Sequence, residues 1–317
     1  MKKQYLTLLA LLVVATAITV GCGSSNSVPT FKQMAFYSTR TVTPATSLFY
    51  MNLDGSNITP VPFASSLWTP SNSADLKTIA FTSSGNVWVS NASGSVQTQL
   101  TTAGNSYFAK ISPDGTKIVY SVWTGSFYQL WVMNVDGTGS LDLTSTMPTN
   151  MTSCFSGGFS ADSKQIAFAC WGSSIYGLYL VKADGTGTTI VLTQSSYLDA
   201  PSFTPDGKQI LFVTYGAVGA KNQTTYNRPH FGSHGSPVAP NVASNQGIAT
   251  VNLDGTNGSI LIPNSYDVTV LNSNLYYTYW DSNLSLYQIY KANLDGTNPV
   301  SISDGTANDW VGISSGD

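Results

Sequence analysis

Ser112-Pro113-Asp114-Gly115-Thr116-Lys117-Ile118-Val119-Tyr120, with Leu130-Trp131-Val132-Met133-Asn134-Val135-Asp136-Gly137-Thr138 behind it, decides the fold. Each half is an Asp-Gly turn beside a run of β-branched and aromatic residues. Gly supplies the positive φ that a tight connection needs, and the flanking residues favour pleated strands. The first half returns as Ser160-Ala161-Asp162-Ser163-Lys164-Gln165-Ile166 and Thr204-Pro205-Asp206-Gly207-Lys208-Gln209-Ile210, with weaker copies near Ser73 and Asn272. The second half returns with its Asp-Gly at Asp54, Asp184, Asp254 and Asp295, and in degraded form at Asn86 to Gly94.

A fixed self-similarity of this kind marks a repeat architecture. The intact second turns are 82, 48, 70 and 41 residues apart, and the first interval contains the degraded copy, so there are six units. Each reads as four strands, a to d, with Asp-Gly-type turns between a and b and between c and d. At about 49 residues per unit the repeat matches propeller blades of about 40–50 residues. The first unit starts directly at strand b, Lys32 to Phe36, and the chain ends in an orphan strand, Asp309 to Ser314. Placing that strand as the missing strand a of blade one closes the ring and removes its exposed edges. The expectation is an all-β, six-bladed propeller of four-stranded antiparallel blades, spanning 32–317.

The paired Ser-Pro-Asp-Gly-Thr-Lys-Ile and Leu-Trp-Val-Met-Asn-Val-Asp-Gly-Thr motifs resemble the TolB-type repeat, the Pro-Asp-containing relative of WD repeats. The resemblance covers nearly all of 32–317 and implies a six-bladed propeller. It does not extend to the amino-terminal α/β domain of TolB. It does not carry TolB's role across either, because one fold hosts many functions.

The amino-terminal end reads as an address. Lys2 and Lys3 precede a 15-residue apolar stretch, Leu6–Val20, and then Gly21-Cys22-Gly23-Ser24-Ser25. The stretch is short for a membrane span. It resembles a bacterial lipoprotein signal peptide, departing from that pattern at Thr19, where Leu is preferred. The resemblance implies a signal over 1–21, lipidation of Cys22, and a tether over 22–31. No Asp follows Cys22, so the inner-membrane retention signal is missing, which points to the outer membrane. The lipid is then the only membrane attachment.

Composition narrows the function. The chain has 317 residues, only 9% charged, with a formal net charge of −3. That balance argues against tracking a nucleic-acid backbone. It also steers charged partners weakly, which favours a neutral or polar partner. All 16 acidic residues are Asp, with no Glu to serve as a glycosidase acid. Nine of the Asp fall in the repeat turns and read as structural. No cofactor or metal site is expected: two His and three Cys leave little for a metal cluster.

The b–c and d–a connections lie on the opposite, loop-rich face, where the unusual residues collect. The b–c connection of blade five swells over about 216–247 and carries Arg228, His230 and His234; the chain's other Arg, Arg40, is in blade one's. A connection that long is commonly a binding loop. Aligning the b strands places Trp123, Trp171, Tyr215 and Trp280 where four successive blades meet this face, with Asp281 beside the last. Such aromatics serve either to grip a sugar or peptide or to pack blade on blade. Cys154 and Cys170 flank the blade-four turn at equal distances, which puts them opposite each other across a hairpin, within bridging range.

Three functions fit: a non-catalytic envelope propeller binding a protein, peptide or glycan; a polysaccharide lyase or hydrolase; or a structural module of an envelope complex. The enzyme would use His230 or His234 as base, Arg228 or Arg40 on a carboxylate, and Asp281 or Asp199 as acid. No residue is assigned as catalytic, and the first reading is preferred.

Overall fold

The computed structural model describes residues 33–40, 48–60, 68–91, 93–145, 147, 151–173, 175–216, 218 and 246–311. These form 24 strands in six four-stranded antiparallel sheets, with no helix among the described residues. Blade one holds β1 (Gln33–Ser38), β2 (Leu48–Asn52) and β3 (Thr59–Pro60). Blade two is β4 (Trp68–Asn72), β5 (Thr78–Ser83), β6 (Asn86–Asn91) and β7 (Gln97–Gln99). Blade three is β8 (Ser106–Ile111), β9 (Lys117–Trp123), β10 (Tyr128–Asn134) and β11 (Leu141–Asp142). Blade four is β12 (Met151–Phe159), β13 (Gln165–Gly172), β14 (Tyr176–Lys182) and β15 (Thr189–Gln194). Blade five is β16 (Leu198–Phe203), β17 (Gln209–Tyr215), β18 (Gln246–Asn252) and β19 (Ser259–Pro263). Blade six is β20 (Ser265–Leu271), β21 (Asn274–Asp281), β22 (Leu286–Asn293) and β23 (Val300–Ser301). The last strand, β24 (Asp309–Val311), pairs antiparallel with β1 and gives blade one its fourth strand.

Apolar side chains on both faces of the middle strands meet those of the next blade. Between blades three and four lie Val119, Val132, Ile166 and Phe168. Between six and one lie Met34, Phe36, Tyr276 and Ile289. Burial on both faces explains why the b strands read as near-continuous apolar runs. Polar links add to this joint: the Tyr276 hydroxyl donates to the Leu53 carbonyl at 3.2 Å, and the Val311 N–H donates to Thr278 Oγ1 at 3.1 Å.

The Asp of each second turn organises its own loop. Asp254 Oδ1 accepts from the Thr256 N–H (3.0 Å) and hydroxyl (2.6 Å), and Asn252 Nδ2 donates to the same hydroxyl at 2.9 Å. Asp54, Asp136, Asp184 and Asp295 repeat the carboxylate bonds with Ser56, Thr138, Thr186 and Thr297. These hydrogen bonds hold all five carboxyls below the ordinary carboxylate range.

Cys154 and Cys170 are direct cross-strand partners in blade four and are joined in a disulfide, both buried. The bridge closes a short loop, so replacing both cysteines by Ser should lower stability by about 2–4 kcal/mol. Urea unfolding with an unchanged m-value would check this.

Candidate functional site

The strand ends define two faces joined by a central channel. On the loop-rich face the b–c connections differ in length. In blade two it is only Ser84-Gly85, at φ 49° and 70°, the two-residue hairpin with both central residues left-handed. In blade five the chain leaves at Tyr215, re-enters at Gln246, and pairs those two residues in register. Residues 219–245 of the swollen connection between them, with Arg228, His230 and His234, lie outside the described residues, as does Cys22.

The aromatic series is richer than the b strands alone indicate. In blade three, Trp123 packs on Tyr128 (ring centroids 4.9 Å), and Tyr128 meets Tyr107 edge-on at 5.9 Å. In blade four, Trp171 and Tyr176 both pack on Tyr197, from the strand entry of blade five, at 5.2 and 5.5 Å. Tyr215 completes that group, 5.2 Å from Tyr197. In blade six, Trp280 lies 4.8 Å from Tyr287, which also meets Tyr266 and, across the blade boundary, Trp310. Burial pushes the Tyr287 hydroxyl up to about 12, with the Asp267 carboxylate adding to the shift.

These groups differ in burial. Tyr197, Tyr215, Tyr266 and Tyr287 are buried, and Tyr197 and Tyr287 tie their blades to the neighbouring ones. The blade-three group opens to solvent: Trp123 is 36% exposed and Phe127, in the b–c connection that follows it, 39%.

Arg40 is held in place by the fold. Its guanidinium bonds both oxygens of Asp309, at 2.5 and 3.0 Å, and Asp304 at 2.6 Å. It also donates to Ser38 Oγ at 2.9 Å and lies over the rings of Phe36 and Phe49. Arg40 thus clamps β24 onto β1. Burial raises the Asp309 carboxyl above its ordinary range, against the pull of Ser38 and Arg40. Asp281 caps its own turn, accepting from the Asn283 N–H at 2.8 Å and the Leu284 N–H at 3.3 Å. Asp199 accepts from the Tyr197 hydroxyl and the Ala200 N–H, both at 2.7 Å. Among the described residues, no three His, Cys or Asp side chains form a metal-binding group.

The channel holds a residue that the sequence reading passed over. Every inner strand from β4 to β20 carries a β-bulge at the same level, between Trp68 and Ser71, Tyr107 and Lys110, Phe155 and Gly158, Asp199 and Ser202, and Tyr266 and Val268. Bulges re-aim side chains. Just beyond them, towards the turn face, is a cavity of about 230 Å³ lined by all six blades. Among the described residues, Lys110 is its only ionisable lining residue. Alignment of the a strands would have found it: the equivalent positions are Ser71, Gly158, Ser202 and Thr269.

No family model matches the sequence, and no curated protein matches it. Solved structures do resemble the fold. TolB from Acinetobacter baumannii is 16% identical with a TM-score of 0.63; the match covers 88% of this chain and 66% of that one, so this chain spans just under two-thirds of that TolB's length. A chain of the nidogen/laminin complex is 12% identical with a TM-score of 0.59, covering 89% and 99%. An oligogalacturonate lyase in complex with manganese is 14% identical with a TM-score of 0.53, covering 86% and 73%. At these identities the likeness is one of architecture, and the chain shares the β-propeller fold of TolB.

Proposed function

We propose that this chain is a non-catalytic, lipid-anchored propeller of the bacterial cell envelope, outer membrane rather than inner, that binds a protein, peptide or glycan on its loop-rich face. In this reading 1–21 is a signal peptide, Cys22 carries the lipid, and 22–31 is a tether to the propeller of 32–317. The lipoprotein-like amino terminus and the TolB-like fold support the location. The observation that carries the binding reading is the open aromatic group of blade three, Tyr107, Trp123, Phe127 and Tyr128. Tyr107, Tyr128 and Trp123 are held by contacts with one another, so with Phe127 beside them they offer apolar area with little side-chain entropy left to lose. The swollen blade-five connection, on the same face, would complete the grip.

Pull-down from native envelopes, with the full chain in detergent as bait, tests this. Trp123→Ala with Phe127→Ala should reduce capture of the partner at least tenfold, as loss of two aromatic anchors does. A bait lacking residues 226–245 should lose capture as well. Equal capture by all three baits would remove the loop-rich face from consideration. The fold likeness to a lyase favours polysaccharide cleavage as the second reading; turnover of an envelope polysaccharide, abolished by His230→Ala or His234→Ala, would replace binding with catalysis.

A further inference from the structure

The channel cavity is built unlike the rest of the interior. Five inner strands supply one residue each to a single layer, pairing with the b strand at the same level: Ser71 with Ala80, Lys110 with Val119, Gly158 with Ala167, Ser202 with Leu211, and Thr269 with Tyr276. All five line the cavity. Three are hydroxyl residues, one is Gly, and one is Lys. Ser71 Oγ accepts from the Ile111 N–H at 3.2 Å, which leaves its own proton to donate.

The Lys110 ammonium forms no hydrogen bond or ion pair with any described residue. Its nearest charges, Asp199 and Asp267, act on it through space and lie outside the cavity lining. Lys110 is half-buried, its side chain set in the channel rather than in the closed core, and a cation there without a contact partner costs free energy that a Ser or Gly would avoid. Burial accordingly pulls its pKa from 10.5 to about 8, against the two carboxylates. The remaining lining is largely apolar, with Pro70, Pro201, Phe203 and Val268 among it. The cavity is smaller than the about 300–1,000 Å³ of sites for drug-sized ligands.

We propose that the turn-side end of the channel is a binding site for a small monocarboxylate with an apolar body, its carboxylate seated on the Lys110 ammonium and the hydroxyls of Ser71, Ser202 and Thr269. A single cation matches a single negative charge. A phosphate dianion would bring a second charge into the channel with nothing to meet it. The apolar lining takes the body of the acid. The site lies at the other end of the channel from the aromatic groups, so it stands independently of the binding reading above.

Benzoate, benzamide and inorganic phosphate are suitable probes for calorimetric titration into the full chain in detergent. Benzoate should bind saturably and at least tenfold more tightly than benzamide, its neutral counterpart, and phosphate should not displace it. Affinity should fall as pH rises past about 8, where Lys110 loses its proton. Lys110→Met should weaken benzoate at least tenfold without lowering the melting temperature, because it removes a half-buried charge that has no contact partner. The wild-type comparison of benzoate with benzamide does not depend on that variant's folding. Absence of saturable benzoate binding, benzamide binding as tight as benzoate, displacement by phosphate, or undiminished binding to folded Lys110→Met would each overturn the assignment.

Discussion

Gly255→Ala should lower stability by about 3–5 kcal/mol, whereas Gly207→Ala, in a turn of the other class, should lower it by only about 1 kcal/mol. Both glycines are left-handed, at φ +80° and +67°, so both substitutions strain the backbone. Their surroundings separate them. Nothing lies within 4 Å of where a Cβ on Gly207 would sit, while one on Gly255 would run into the carbonyl of Val191 in the preceding blade. Val191 is the extra residue of an irregularity in β15, opposite Leu178 and Tyr179, so the neighbouring strand is shaped to receive the turn. Gly55 meets the Ile302 carbonyl of blade six in the same way. At Gly55 and Gly255 the second Asp-Gly turn is thus pressed against the backbone of the neighbouring blade, whereas the first turns reach across by hydrogen bonds, Ala74 N–H to the Pro113 carbonyl at 2.9 Å and Asp114 N–H to Ser163 Oγ at 3.2 Å, with open space at Gly207. Urea midpoints of the two variants, measured side by side, check the difference; equal losses would show that φ strain alone accounts for both glycines.

The second large effect concerns the clamp on the last strand. Arg40→Met should destabilise the protein by about 3–5 kcal/mol near neutral pH, because it leaves the Asp309 carboxylate buried without its counter-charge. The Asp309 side chain is 1% exposed, and that of Arg40 12%. The loss should also depend on pH in a defined direction. Asp309 already has a folded pKa above its unfolded value, so its contribution is most favourable below the unfolded pKa and is lost as pH rises through the folded one. Without Arg40 the folded pKa rises further, so the deficit of the variant should be largest at neutral pH and shrink towards pH 4. Chemical denaturation at several pH values reads this directly. A pH-independent deficit would mean that Arg40 acts by packing on Phe36 and Phe49 rather than by charge. If the deficit is small at every pH, the pairing of β24 with β1 matters less to the ring than its place in blade one indicates.

The six blades were legible because the propeller writes its period into turn chemistry. Asp114-Gly115 and Asp136-Gly137 need positive φ and a side chain that bonds back to its own loop, and few residues meet both demands. The bland reading of the repeated Asp residues as turn-formers accords with their hydrogen bonds. The sites were less legible because their partners are distant in sequence. Arg40 stood out as an uncommon cation on the right face, yet its clamp needs Asp309, 269 residues away. Trp171 was found from strand alignment, but Tyr197, which packs on it, enters from the next blade. Phe127 was passed over because its connection is short and carries no charge. Lys110 escaped because one Lys between Ala109 and Ile111 reads as a strand residue facing solvent; only the channel geometry shows that it faces the axis of the ring.

The most direct test of the central claim is hydrogen exchange on the propeller with and without the partner captured from the envelope. Binding on the loop-rich face predicts slowed exchange at 105–108, 123–128 and 171–176 and no change at the Asp-Gly turns around 136–138, 184–186 and 254–256. Protection of those turns, with the aromatic ends unchanged, would place the partner on the opposite face and contradict the account.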